Sequence, residues 1–290
     1  MTDKRSAILF ILPAILVLVT ISVVPTIRAV TMSFQNRELR YESYSYIGFD
    51  NYKKLFSDRR FINSIKVSAS WELITVSCTM AIAICLSFFL FEYVPPRAKK
   101  LMQTLLILPA IVPRVSAAYI WRYIYSPIVG PINFILGLIH IRPVALLSDP
   151  QTALLSVAVV DTWQWATLFS VIILGILESL PREPLEAARI DGASNWQVHR
   201  YIAFPCILPS LLSLTFVKMV ESLRSFDLIY IMTKGGPGIS TETLDLYAYT
   251  TGIGLEGRIS YASGMAVLML VGTIISFTII WNLSQGWTSK

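Results

Sequence analysis

Glu186-Ala187-Ala188-Arg189-Ile190-Asp191-Gly192-Ala193 is a polar island that continues through Trp196 to Phe204-Pro205. It stands between apolar runs at about 153–176 and 204–223, each near the roughly 20 residues a helix needs to cross hydrocarbon. Helical spacing puts Leu185, Ala188 and Arg189 on one face, and Gly192 interrupts the helix before a second helical piece leads to Pro205. A short helix held between two spans is shaped to press on something outside the membrane.

Working outward, further apolar runs fall at about 8–27, 70–92, 102–122 and 262–281, which makes six. The chain has 290 residues, 54% of them hydrophobic and only 14% charged, with a mean hydropathy of +0.62. Backbone in hydrocarbon must satisfy its own hydrogen bonds, which favours helices. Long continuous runs do not fit the alternating segments of a β-barrel. The expected fold is therefore an all-α polytopic membrane protein with six transmembrane helices, a single transmembrane domain over 1–290. Connections are too short for an independent soluble domain. Met1-Thr2-Asp3-Lys4-Arg5 could open a signal peptide, but the following run exceeds an h-region, and Pro25 with Arg28 makes a poor cleavage site; a retained first span is expected.

Between the runs, Asp50 is expected to cap a short helix with Tyr52, Leu55 and Phe56 on its apolar face. Phe134-Ile135-Leu136 opens an apolar patch too short to span. Asp149-Pro150 reads as cap and first turn of the fourth span, and Gly235-Gly236-Pro237-Gly238 as an obligatory turn. Both termini fall on the side of residues 95–100 and of the polar island. That side holds nine Lys/Arg in about 45 residues, against thirteen in more than 100 residues on the other. The density favours a cytoplasmic island, although residues 28–66 alone carry eight.

Chemistry on a substrate finds no support. The sequence holds no Walker-type loop, dinucleotide fingerprint or His-Glu-x-x-His. Its two histidines, His140 and His199, fall on opposite sides of the expected membrane, so no metal site is expected. Cys78, Cys85 and Cys206 form neither a disulfide framework nor a metal pattern and read as membrane packing. The net charge of +6 is scattered around apolar spans, which argues for lipid rather than nucleic acid as the surrounding partner. Any driven transport must draw on a partner or an ion gradient.

Charges in or beside hydrocarbon are costly unless paired or facing a cavity. Arg114 follows Pro113 in the third run, Asp161 and Gln164 flank Trp163 in the fourth, and Lys218 and Glu221 are spaced to pair on one face of the fifth. Interhelical pairing and a translocation path both explain them. Trp121, Trp163 and Trp165 read either as an interfacial belt near outer helix ends or as platforms for a sugar ring. Pro109, Pro113, Pro205 and Pro209 permit kinks.

Glu186-Ala187-Ala188, three residues, Gly192, nine residues, Ile202, one residue and Phe204-Pro205 together resemble the EAA loop of ABC importer permeases. Phe204 replaces the usual aliphatic residue before the proline. Leu180-Pro181-Arg182-Glu183-Pro184-Leu185 is similar to that family's approach to the loop. Ile47-Gly48-Phe49-Asp50-Asn51-Tyr52 resembles the carbohydrate-uptake branch, the group of the maltose and glycerol-3-phosphate permeases. So do Trp121-Arg122 with Pro127, Gly130 and Asn133, and Phe226-Asp227-Leu228-Ile229-Tyr230 with the glycine turn, Thr241 and Glu242.

The resemblance implies a type I importer permease in a bacterial inner membrane, with both termini cytoplasmic. It implies as partners a second permease, two ATPases that bind ATP and Mg2+, and an extracytoplasmic solute-binding protein. This chain would hold no cofactor and catalyse nothing. Residues 178–205 would form the cytoplasmic loop, with Glu186, Ala187, Ala188, Arg189, Asp191, Gly192 and Ala193 coupling to an ATPase. Candidates along the solute path are Arg114, Trp121, Asp161, Trp163, Gln164, Lys218, Glu221 and Asp227. Arg114 and Lys218 raise the prospect of an anionic sugar. A secondary sugar transporter and a non-transport membrane scaffold are the alternatives.

Overall fold

The computed structural model describes residues 2–41, 43–254 and 256–288. Among the described residues, five helices are long and apolar enough to cross a membrane: α1 (Phe10–Ser33), α3 (Arg59–Tyr93), α7 (Ala153–Glu178), α9 (Asn195–Ser222) and the first part of α12 (Ile259–Thr288), which qualifies over Ile259–Ile279. A further bent pair, α4 (Pro96–Ile111) and α5 (Arg114–Ile124), which meet at 92°, is apolar enough when taken together and makes a sixth crossing if it is one span. Shorter helices complete the set: α2 (Asp50–Ser57), α6 (Pro131–Leu138), α8 (Arg182–Ile190), α10 (Phe226–Met232) and α11 (Leu244–Tyr249).

Several sequence expectations shift in register. The first span does not stop at Pro25 but runs on to Ser33, because a π-turn at Val19–Val23 precedes the proline. The wider turn closes with Val24 N–H donating five residues back to the Val19 carbonyl, which accommodates a residue with no N–H to give. The same device recurs at His199–Ala203, two residues ahead of Pro205, so α9 is one helix that begins well before Phe204. The expected single run over 102–122 is instead two helices, because Pro113 cannot continue the ladder and Val112 is extended. Asp149 is not the cap of the fourth span: its carbonyl accepts from Ala153 N–H, and Thr152 occupies the cap position. In α2, Asp50 lies in the first turn while Phe49 holds the cap; Leu55 is buried but Phe56 is exposed.

The described residues divide into two compact units. The first draws on Met1–Ile62 and Leu244–Gly272. Here Asn51 Nδ2 donates to the carbonyls of Ser33 and Gln35, at 2.8 and 2.7 Å, and fixes α2 beneath the end of α1. Leu55, Phe61, Tyr247, Tyr261 and Met265 form its core. Gly264 lets the backbone come close, since a Cβ there would sit 3.2 Å from Leu55 Cδ1. Asp58 caps α3 by accepting from Arg60 N–H at 2.8 Å, and it also accepts the hydroxyls of Tyr247 at 2.5 Å and Tyr261 at 3.0 Å. Burial pushes the Asp58 carboxyl up, but the Tyr247, Arg60, Tyr261 and Phe61 donors outweigh it and hold the group below the usual value. Burial and the same carboxylate push the Tyr247 hydroxyl up.

The second unit draws on Asn63–Thr243 and Thr273–Lys290. The central helix is α7, with 61% of its apolar window buried against 22% for α9. Met80 and Ala83 of α3, Phe169, Ile173 and Leu177 of α7, Leu185 of α8, and Val198, Ala203, Ile207 and Leu211 of α9 form one core. Lipid is as apolar as these side chains, so association there comes from close packing and polar pairs rather than from water exclusion. Trp71 Nε1 accordingly donates to the Ser222 carbonyl at 3.1 Å, and Thr75 and Ser222 share a 2.6 Å hydroxyl pair.

Candidate functional site

The polar island folds as two helices at a sharp corner. Helix α8 carries Glu183 in its first turn and Arg189 in its last, the arrangement that the helix dipole favours. Its end is a Schellman turn: Ala193 N–H reaches the Ala188 carbonyl at 3.0 Å and Gly192 N–H the Arg189 carbonyl at 3.1 Å. Gly192 sits at φ +88°, where a side chain would strain the backbone. The next helix starts from a capping box, with Ser194 Oγ accepting from Gln197 N–H while Gln197 Oε1 accepts from Ser194 N–H.

One side of this corner is anchored and the other faces outward. Leu185 inserts between α3, α7 and α9, and Ala188 and Ala193 pack partly against the same core. Glu186, Ala187, Asp191 and Gly192 are exposed, as are Ile190 at 86%, Trp196 at 73% and Tyr201 at 72%. Bare aliphatic and aromatic side chains beside a rigid turn make a surface that a protein cleft can grip. Arg189 turns inward: its Nη2 donates to Glu92 Oε2 at 2.8 Å, and His199 Nε2 lies 3.2 Å from the same oxygen. Glu92 and His199 were not among the sequence-derived candidates. Glu92 offered a signal, an acid in the last turn of a run whose only other charge is Glu72.

A second constellation lies deep in the spans. Arg114, on the first turn after the helix break, donates to Asp161 of α7 at 2.7 Å and to Glu221 of α9 at 3.1 Å. Lys218 Nζ donates to the other Asp161 oxygen at 2.6 Å. Four charges from three helices thus neutralise one another. The expected Lys218–Glu221 pair is not formed, because the two turn to different partners: Lys218 is fully buried against Asp161, whereas Glu221 reaches Arg114. Gln164 Nε2 donates to the carbonyls of Pro109 and Val112, at 3.3 and 2.9 Å; Pro109 also accepts Val112 N–H, so the Gln164 bond matters most at Val112, the last residue before the break.

Trp121 and Trp163 stack edge to face at 5.5 Å between ring centres. Trp165 does not join them; it lies mid-helix, packs on Phe169, and holds Lys218 Nζ 5.7 Å from its ring centre. A helix turns by about 100° per residue, so two positions along it point to different faces. Asp227 is exposed in the first turn of α10, outside the cluster. Among the described residues no group of three or more His, Cys, Asp or Glu side chains could hold a metal.

Five spans and a bent helix pair, a cornered polar loop between α7 and α9, and a buried balanced charge cluster define a type I ABC importer permease. The backbone superposes with a TM-score of 0.87 on a subunit of a bacterial ABC transporter involved in import of the acidic polysaccharide alginate, at 24% identity over 97% of this chain and 96% of that one. The chain belongs to the binding-protein-dependent transport system inner membrane component family, whose model matches residues 83–289. It is 28% identical over 280 residues to the trehalose/maltose transport system permease protein MalF of Thermococcus litoralis, covering 96% of this chain and 93% of that protein. It is likewise 28% identical to the sulfoquinovosyl glycerol transport system permease protein SmoG of Agrobacterium fabrum, covering 92% and 86%. The chain is therefore a multi-pass inner-membrane permease subunit, itself non-catalytic, and ATP is hydrolysed by separate ABC ATPase subunits.

Proposed function

We propose that this chain is one of two membrane-spanning subunits of an importer for a carbohydrate or sugar derivative, with α8 as its coupling helix. The observation that carries the coupling assignment is α8 itself: a short helix wedged into the core by Leu185, closed by a rigid Gly192 turn, with Ile190 and Trp196 bared beside it. Glu186, Ala187, Ala188, Asp191, Gly192 and Ala193 would meet an ATPase cleft on the cytoplasmic side, where both termini would also lie. Closure of paired ATPases would then rock α7 and α9 against a second, similar permease and expose a central path alternately to either side. A solute-binding protein would deliver the cargo from outside.

The carbohydrate class is supported by the relatives, whose names cover trehalose and maltose as well as sulfoquinovosyl glycerol. Arg114, Trp121, Asp161, Trp163, Gln164, Lys218 and Glu221 are the path candidates that the fold brings near one another; Asp227 would act, if at all, from the rim. The paired tryptophans suit the flat face of a sugar. Arg114 Nε and Gln164 Oε1 are buried without hydrogen-bond partners among the described residues, one donor and one acceptor that hydroxyls could satisfy. The ion pairs leave neither Arg114 nor Lys218 as a free cation, so a charge-reading pocket is not part of this proposal.

The test is reconstitution of the full complex in liposomes with labelled maltose, trehalose and a sugar phosphate. Vanadate-sensitive uptake of one of them, dependent on the binding protein, is expected. Uptake that persists without the ATPases would point to a secondary transporter, and assembly with no transport of any sugar to a scaffold. Arg114→Gln and Lys218→Gln should leave the ratio of neutral to anionic sugar uptake unchanged; a shifted ratio would restore a charge-reading role.

A further inference from the structure

Three helices meet at Glu92. The residue ends α3, and its carboxylate receives Arg189 from α8 at 2.8 Å and lies 3.2 Å from His199 of α9. Both contacts fall on the same oxygen, Oε2. The His199 ring is wedged edge-on against Phe88, 5.0 Å away between ring centres, one turn back along α3. Glu92 is 12% exposed and Arg189 42%, so the pair is partly withdrawn from solvent at its acidic end. A partly desolvated, charge-assisted bond of this length is stronger than an exposed surface pair.

The connectivity gives this bond its meaning. Helix α8 is joined by short covalent links to α7 before it and to α9 after it, so any push on α8 reaches those two spans through the backbone. Helix α3 has no such link, since Glu92 and Arg189 are 97 positions apart. Without the ion pair, α3 would be held to α8 by side-chain packing around Leu185, while its hydrogen bonds from Trp71 and Thr75 reach α9 at Ser222, at the opposite end of both helices. A neighbouring pair, Lys99 of α4 with Glu178 of α7 at 3.1 Å, fastens the other two helix ends. Glu92, Lys99, Glu178 and Arg189 all line one cavity of about 700 Å³ behind α8.

We infer that Arg189 is a positioning residue of the coupling loop, tied to Glu92 so that α3 moves with α8, rather than a contact made to the ATPase. This rests on the reading of α8 as the coupling helix. The tie makes a rigid body of α3, α8 and the start of α9, with Glu92 as its common anchor. Charge is what the tie needs, because Arg189 gives one nitrogen, Nη2, to Glu92, and a single ammonium can supply the same bond.

The experiment uses the assembled permease–ATPase complex with Cys78, Cys85 and Cys206 replaced by serine. Spin labels at Glu183→Cys and Tyr93→Cys report the distance between α8 and the end of α3, nucleotide-free and trapped with Mg-ATP and vanadate. A single distance, unchanged on trapping, is expected with the pair intact. Glu92→Gln and Arg189→Gln should each give a distance that shifts or broadens on trapping, while the complex still co-purifies. Arg189→Lys should retain most of the wild-type behaviour, and the reversed pair Glu92→Arg with Arg189→Glu should restore it. Unchanged distances in both single variants would overturn the tie. So would loss of ATPase co-purification in Arg189→Gln but not in Glu92→Gln, which would place Arg189 in the joint. A separate cross-link from Ile190→Cys to an ATPase tests the underlying reading: if none forms, that reading and the tie both fall, and if one forms while the distances stay fixed, only the tie does.

Discussion

Asp161 Oδ2 and Lys218 Nζ face each other at 2.6 Å with neither side chain exposed, the most deeply buried ion pair among the described residues. Removing one partner of such a pair strands a charge, whereas replacing both by apolar groups of similar size removes the desolvation cost as well. Asp161→Asn should therefore lower stability by about 3–5 kcal/mol, because Lys218 loses its acid and Arg114 keeps only Glu221. Asp161→Leu with Lys218→Met should recover most of that loss. Thermal unfolding of the complex in detergent measures both; equal loss in the single and double variants would show that the pair is not the cause.

Gln164 should prove to be a brace for the broken span. One amide nitrogen serves the carbonyls of Pro109 and Val112, and since Pro109 also accepts Val112 N–H, Gln164→Leu takes the donor from the half-buried Val112 carbonyl. A loss of about 1–3 kcal/mol is expected, together with faster protease cleavage near residue 112. Wild-type cleavage and stability would assign Gln164 to the solute path alone.

Gly192 and Glu186 should separate shape from contact in the loop. Gly192→Pro cannot hold φ +88° and would open the corner, weakening ATPase retention on a tagged permease severalfold. Glu186→Ala keeps the corner, since Glu186 is exposed, and should uncouple uptake from hydrolysis with less loss of binding. In neither variant should solute capture by the binding protein change. Normal solute-stimulated hydrolysis and uptake in both would contradict the coupling assignment.

Asp58 should make the first unit acid-sensitive. Its carboxyl is held below the ordinary value of 3.8, so its contribution is complete above that pH and disappears as pH falls through the lower folded value. Melting temperature should therefore drop more steeply below about pH 4 in the wild type than in Asp58→Asn, and the gap between the two should close in acid. Parallel curves for the two proteins would refute this.

Much of the fold is legible in one dimension. Long apolar runs with few charges must be helices in hydrocarbon, and the spacing from Glu186 to Pro205 carried both the loop and the resemblance that the family match and the fold bore out. Element ends were less legible, because π-turns before Pro25 and Pro205 let helices continue where a proline ordinarily stops them.

The sequence by itself determined the membrane class, the apolar runs and the place of the polar corner, since these follow from local hydrophobicity and from glycine and proline chemistry. Only the tertiary structure decided how the charges pair. Lys218 could reach Glu221 on its own helix, yet it takes Asp161 from α7, and Arg189 takes Glu92 from α3. Electrostatic energy in a low-dielectric interior depends on separation in space, and helices distant in sequence bring those partners within bonding reach.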